Sequence, residues 1–167
     1  MAKHLIGVYS SLSLDLAEKL IDKAIDLRIK HNLLPLAIAA LDAGGHLVAF
    51  RREDGCGILR SDIAIGKAWG SLGMGMSTRQ IRDRLSDRPT FQSALAAASS
   101  GRFIPTPGGV LILNHESIAI GAIGISGDAS DKDEFYLNRN PNSQSYNQSQ
   151  FPRITSYCTG HTWPSHQ

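Results

Sequence analysis

Seven residues of this 167-residue chain combine charge or backbone freedom with positions where loops can meet: Arg51, Asp54, Lys67, Gly108, Gly109, Ser126 and Asp128. Glycines let a backbone approach a flat or anionic ligand, while Arg, Lys and Asp orient it through charge-assisted hydrogen bonds. They imply a concave small-molecule site where Asp42–Gly45, Arg51–Gly57, Thr106–Gly109 and Ser126–Asp128 converge. Gly55, Gly57 and Arg60 precede a helix expected to start at Ser61, so amide donors and the positive dipole end face an anion there. Asp62 occupies part of that field, and a plain capped helix is the competing reading. Lys67 stands among Ile63, Ile65 and Ala68; it snorkels, pairs with a carboxylate, or meets a ligand carboxylate.

The elements that must hold these residues follow from periodicity. Leu14 to His31 is an amphipathic helix, with Leu14, Ala17, Leu20, Ile21, Ala24, Ile25 and Leu27 on its apolar face and Ser13 as N-cap. Leu36–Leu41 and His46–Arg52 flank an Asp/Gly-rich turn and form a hairpin. A helix over about Asp62–Leu72 follows, then short helices at Thr78–Leu85 and Pro89–Ala98. Pro105 and Pro107 hold an extended lead into a strand at Gly109–Asn114, and Ile118–Ile125 returns. Gly121 and Gly124 inside the last strand mark a bulge or a close backbone approach. The order gives a single α+β domain, a small antiparallel sheet flanked by helices.

Composition removes several function classes. The chain is 42% apolar and 19% charged with a net charge of +2, so it is an ordinary globular protein with no charge-based case for a nucleic-acid or membrane partner. Arg79, Arg82, Arg84 and Arg88 are interrupted by Asp83 and Asp87, a solvated face. Cys56 and Cys158 have no disulfide or zinc-site spacing. No long apolar run or secretory leader pattern is present, which makes a cytoplasmic protein with reduced thiols the expectation. Asp128, Asp131, Asp133 and Glu134 lack calcium-loop spacing and read as helix-capping residues. There is no nucleophile elbow, phosphate loop or dinucleotide fingerprint, and no residue is assigned a catalytic or metal-ligating role.

Four segments, in order, carry a resemblance: Ala40–Gly55, Ser61–Trp69, Pro105–Ile112 and Gly121–Gly127. Together they resemble the GlcG/HbpS family of haem-degrading type, related to the C-terminal part of PduO-type corrinoid proteins, over roughly Leu14 to Glu134. The resemblance implies the same α+β fold, a homo-oligomer, and binding of haem or a related tetrapyrrole with oxidative turnover. Ile58, Leu59 and Trp69 would then wall the macrocycle, and Arg or Lys would meet its propionates. Met74, Met76, His31 and His46 are chemically able to bind iron, but core filling, a helix C-terminus and a hairpin turn are the better explanations of them. His115 lies in a turn, and His4, His161 and His166 lie in terminal segments. Two rivals remain open. One is an accessory enzyme acting on a small organic acid, with Arg51 and Lys67 clamping a carboxylate and Asp54 as acid/base; the other is a non-catalytic corrinoid-pathway or assembly domain.

The chain departs from its own pattern near Glu134. Residues 1–13 form an N-terminal segment, 14–134 the domain, and 135–167 a polar Asn/Gln/Ser/Pro-rich tail expected to be disordered, with order ending near Leu137. The change falls in mid-motif, as if a shifted reading frame or alternative exon had replaced a closing helix. Loss of that helix is expected to expose apolar sheet surface.

Overall fold

The computed structural model describes residues 6–130, 133 and 153–154. Helix α1 (Leu14–Lys30) starts where its cap sits: the Ser13 hydroxyl accepts the Leu16 N–H, and Ala17, Ile21 and Ala24 are buried. Strands β1 (Ala37–Asp42) and β2 (Leu47–Arg52) form the hairpin, whose turn uses Gly45 at φ 80. Helix α2 (Leu59–Met74) then leads through left-handed Gly75 to α3 (Thr78–Leu85), which opens on a capping box between Ser77 and Gln80. Helix α4 (Pro89–Ala98) precedes β3 (Gly109–Leu113) and β4 (Ala119–Ser126).

The expected start of α2 is corrected. Gly57 and Ile58 carbonyls already accept the Arg60 and Ser61 amides, so the helix begins before Ser61, which becomes an interior residue instead of a cap. Its end runs two residues past Leu72, and the strand ends shift by a residue.

The sheet is antiparallel in the order β2-β1-β4-β3, with the two-residue β5 (Arg153–Ile154) on the outer edge of β3. One face carries Ile38, Ala40, Val110, Ile112, Ile123 and Ile125, which pack with Leu12, Ala17, Ile21 and Ala24 on the α1 side. The other carries Ala37, Ala39, Leu41, Leu111 and Ala122 under Ala64 and Ala68 of α2. The closeness of α2 explains Gly124: a Cβ there would collide with the Ala64 carbonyl oxygen, so only glycine allows this approach. Val110, Ile112, Ile123 and Ile125 are all buried, so the α1 face of the central strands is closed. The expected end of order near Leu137 and the tail lie outside the described residues, except that Arg153–Ile154 pair with the edge of β3 instead of remaining coil. Among the described residues no helix is long and apolar enough to cross a membrane.

Candidate functional site

One end of the sheet is organised by a buried charge pair. Lys67 is 1% exposed, and its ammonium donates to Asp133 Oδ2 at 2.8 Å and to the Ile125 carbonyl at 2.9 Å. Asp133 Oδ1 accepts the amides of Gly127 and Asp128 at 3.1 and 3.0 Å. Burial pushes the Asp133 carboxyl above the usual range, against the downward pull of Lys67 and the Asp128 amide. Gly108 completes the packing: a Cβ there would stand 2.9 Å from both Lys67 Nζ and Asp133 Cβ, at φ 116. Gly109 donates its N–H to Thr78 Oγ1 at 2.8 Å, and Arg60 reaches Ser126 Oγ at 3.3 Å. The charges and donors here bind each other, so this end is a structural clasp.

Lys67, Gly108, Gly109, Ser126 and Asp128 of the anticipated site therefore do converge, but around Asp133 and not around a ligand. Lys67 has the carboxylate partner that was one of its three readings. Asp128 turns its carboxylate to the backbone, accepting from Ala129 and Leu34. Arg51 does not join them. It stands opposite Ile38, on the α1 face, and pairs with Asp22 of α1. Asp54 is exposed in the turn after β2. A carboxylate clamp of Arg51 and Lys67 is thus corrected: the sheet separates the two side chains. The anion cradle at Gly55–Ser61 is corrected as well, because α2 starts earlier and Arg60 is held by Ser126. Burial raises the Cys56 thiol, with Arg60 and Arg52 pulling it down less strongly, so it stays protonated at neutral pH. Met74 and Met76 pack against Ile81, Leu85 and Phe103 as core.

The surface beside α2 differs in character. Helix α2 packs over β1, β4 and β3, and among the described residues no helix is seated over the outer strand β2 on that face. Register settles which β2 side chains point there: Leu47, Phe50 and Arg52 stand opposite Leu41, Ala39 and Ala37, all on the α2 side. Leu47 is 52% and Phe50 38% exposed. Ile65, Trp69 and Leu72 fall on one flank of α2 at helical spacing, with Ile58 just before its first turn; Ile65 belongs to the cluster of Ala37 and Ala39 and Trp69 to that of Leu41, which sets that flank on the β1 side, next to β2. The result is an apolar shelf about 17 Å long, five strand steps, walled by Trp69 and Ile65 and ending in the exposed cation of Arg52. Arg102 lies over the Trp69 ring, 4.9 Å from its centroid, a cation–π contact that steadies the indole.

At the hairpin end of the sheet, one step beyond the Leu41–Leu47 pair and so on the face opposite the shelf, Asp42 and His46 form a second pair. The Asp42 carboxylate accepts the His46 backbone N–H at 2.9 Å and meets Nδ1 at 3.2 Å through both oxygens. Partial burial works to raise Asp42, but the His46 bonds and the Gly44 amide hold it below the usual carboxylate range. The turn is closed by Gly45 N–H to the Asp42 carbonyl, and Gly45 abuts the Trp69 indole edge.

The shelf was not among the anticipated site residues, although Trp69 and Ile58 were. One signal was present: Leu47-Val48-Ala49-Phe50 is apolar on both faces of what proves an outer strand, and such a strand needs cover on each side. Leu59 is exposed at the start of α2, away from the shelf flank. No group of three or more His, Cys, Asp or Glu side chains among the described residues is placed to hold a metal ion by protein ligands alone.

Known proteins share this architecture. The family model described as haem degrading protein HbpS-like matches residues 12–138. PduOC, solved as a haem complex, is 23% identical, with a TM-score of 0.67, covering 75% of this chain and 88% of its own. The Klebsiella pneumoniae protein ORFY is 21% identical, with a TM-score of 0.69, covering 81% of this chain and 91% of its own. A double mutant of Streptomyces reticuli HbpS is 21% identical, with a TM-score of 0.67, covering 87% and 94%. These likenesses establish the fold. No curated protein sequence matches the chain.

Proposed function

The chain belongs to the HbpS-like family of haem degrading type, and on that premise we propose that it binds haem or a closely related tetrapyrrole on the shelf between β2 and α2. The observation that carries the reading is the uncovered apolar face of β2, with Leu47 and Phe50 exposed beside Trp69 and a cation at one end. A flat macrocycle with anionic propionates suits that combination: the ring removes apolar surface from water, and Arg52 meets a carboxylate in the open. Bound haem supplies redox chemistry; the protein supplies the apolar bed, the cation and exclusion of water from one ring face. Lys67 has no part in this, being buried and engaged by Asp133. That PduOC was solved with haem supports the ligand class.

The reading extends to oxidative turnover of the macrocycle, supported by the family's description, with no shelf residue assigned as catalytic. A homo-oligomer belongs to it too: β2 is the outer strand, and its edge, unpaired among the described residues, is where a second copy can extend the sheet. Haem titration tests the ligand. The Soret band should sharpen, shift and saturate at a fixed haem-to-chain ratio. A spectrum matching that of haem with an unrelated apo-protein would overturn the reading.

A further inference from the structure

We infer that the two-residue strand β5 is an edge guard: it holds the outer edge of β3 against pairing with a strand of a second copy, so that growth of the sheet is left to β2. An apolar strand without charge or proline is a template for another chain wherever its edge is open, and Gly109-Val110-Leu111-Ile112-Leu113 is such a strand. Its edge is closed at both ends from within the chain. Ile112 and Leu113 pair with Ile154 and Arg153. At the other end the Ile125 amide bonds to the Gly108 carbonyl, so Gly109, opposite Gly124, turns its own N–H and C=O away from β4. Thr78 of α3 takes both: its Oγ1 accepts the Gly109 N–H at 2.8 Å, and its hydroxyl donates to the Gly109 carbonyl at 3.3 Å.

The guard is itself a poor template. It is two residues long, one of them an arginine, and Pro152, next to it in the sequence, has no amide hydrogen to offer. Strand β2 is the opposite case: Leu47-Val48-Ala49-Phe50 is uncharged, and among the described residues no strand pairs its outer edge. The difference decides how edge pairing ends. With one open edge, two copies join β2 to β2 about a twofold axis and the assembly closes. With two open edges, each copy takes a neighbour on both sides and the sheet extends without end. The guard requires neither haem nor β2 pairing, since an opened β3 edge adds association to a monomer as well as to a dimer.

The experiment compares the full-length wild type with the double variant Arg153→Pro, Ile154→Pro, whose residues 153 and 154 offer β3 no amide N–H. Sedimentation velocity over a range of concentrations reads assembly, and hydrogen exchange at Ile112 and Leu113 reads the edge. The wild type should keep one size. In the variant, mean mass should rise about twofold or more with concentration. At low concentration its β3 amides should exchange about tenfold or more faster than in the wild type, and they should slow again in the grown species, which locates the new contact on β3. A variant that keeps the wild-type size overturns the guard, and so does growth that leaves the β3 amides open. A wild type whose mass itself climbs with concentration overturns it as well. Failure of the wild type to bind haem or to pair through β2 bears on the proposed function instead and leaves these outcomes unchanged.

Discussion

Two side-chain pairs, each built on a carboxylate, sit at opposite ends of one sheet and have opposite consequences. Lys67–Asp133 is sealed, 1% and 0% exposed, with Asp133 also accepting two backbone amides. Asp42–His46 is at the surface, with the imidazole 82% exposed. Burial engages the charges of the first pair with each other and with the backbone, because an unpaired charge there costs several kcal/mol, so the pair becomes a strut between α2, the end of β4 and Asp133. Exposure removes that demand from the second, which water can solvate, so it fastens a turn without sealing a core. A charged side chain near a family-like motif is therefore a poor guide to binding unless its burial and partners are known.

The largest effect should come from breaking the strut. Lys67→Met should destabilise the fold by about 3–5 kcal/mol, by leaving Asp133 charged and buried alone, as read by urea denaturation. Haem affinity of the folded fraction should be unchanged. Adding Asp133→Leu should recover much of that loss. If Lys67→Met is stable but fails to bind haem, the roles of the two ends are reversed.

Gly124→Ala sharpens the same contrast through packing. Its methyl group meets the α2 backbone at Ala64, and a loss of about 1–3 kcal/mol is expected by the same denaturation measurement, again with little effect on the shelf.

Phe50→Asp addresses the other end. It should leave stability within about 0.5 kcal/mol, since the residue is partly exposed on an outer strand. Haem affinity should fall about tenfold or more, the equivalent of about 1.5–3 kcal/mol for a phenyl ring that no longer shields the macrocycle from water. Loss of stability with affinity retained would make Phe50 a core residue and not a binding surface.

Much of this contrast was legible in the chain, and the limits have physical causes. Ser13, the Asp42–His46 turn and the order of segments were sufficient for α1, the hairpin and the α+β fold, because caps, tight turns and periodicity are local. A lysine among Ile63, Ile65 and Ala68 allowed a carboxylate partner as one of three readings, beside snorkelling and a ligand carboxylate. It did not say which one, since Asp133 is 66 residues away and only the fold brings it near. Arg51 was misplaced for a different reason. Strand β2 is apolar at Leu47, Val48, Ala49 and Phe50, so alternation carries no information about which face Arg51 shares. A bulge between Ala40 and Leu41 further resets the register.

The smallest effect concerns pH. Asp42 is held below its ordinary range in the folded protein, so its ionised form stabilises the fold above about pH 4, and this contribution is lost as pH falls through the lowered folded value. Asp42→Asn should thus cost less than about 1 kcal/mol near neutral pH, as expected for a largely exposed pair. The difference from wild type should shrink toward zero in acid, measured by denaturation across pH.

The most direct measurement is an amide-resolved NMR titration with gallium protoporphyrin, a diamagnetic haem analogue whose ring current marks its neighbours. Haem binding on the shelf predicts saturable shifts at residues 46–52 and at the Trp69 indole N–H, with the amides of Gly108, Gly127 and Asp128 unmoved. Shifts centred on Gly108, Gly127 and Asp128, with β2 silent, would contradict it.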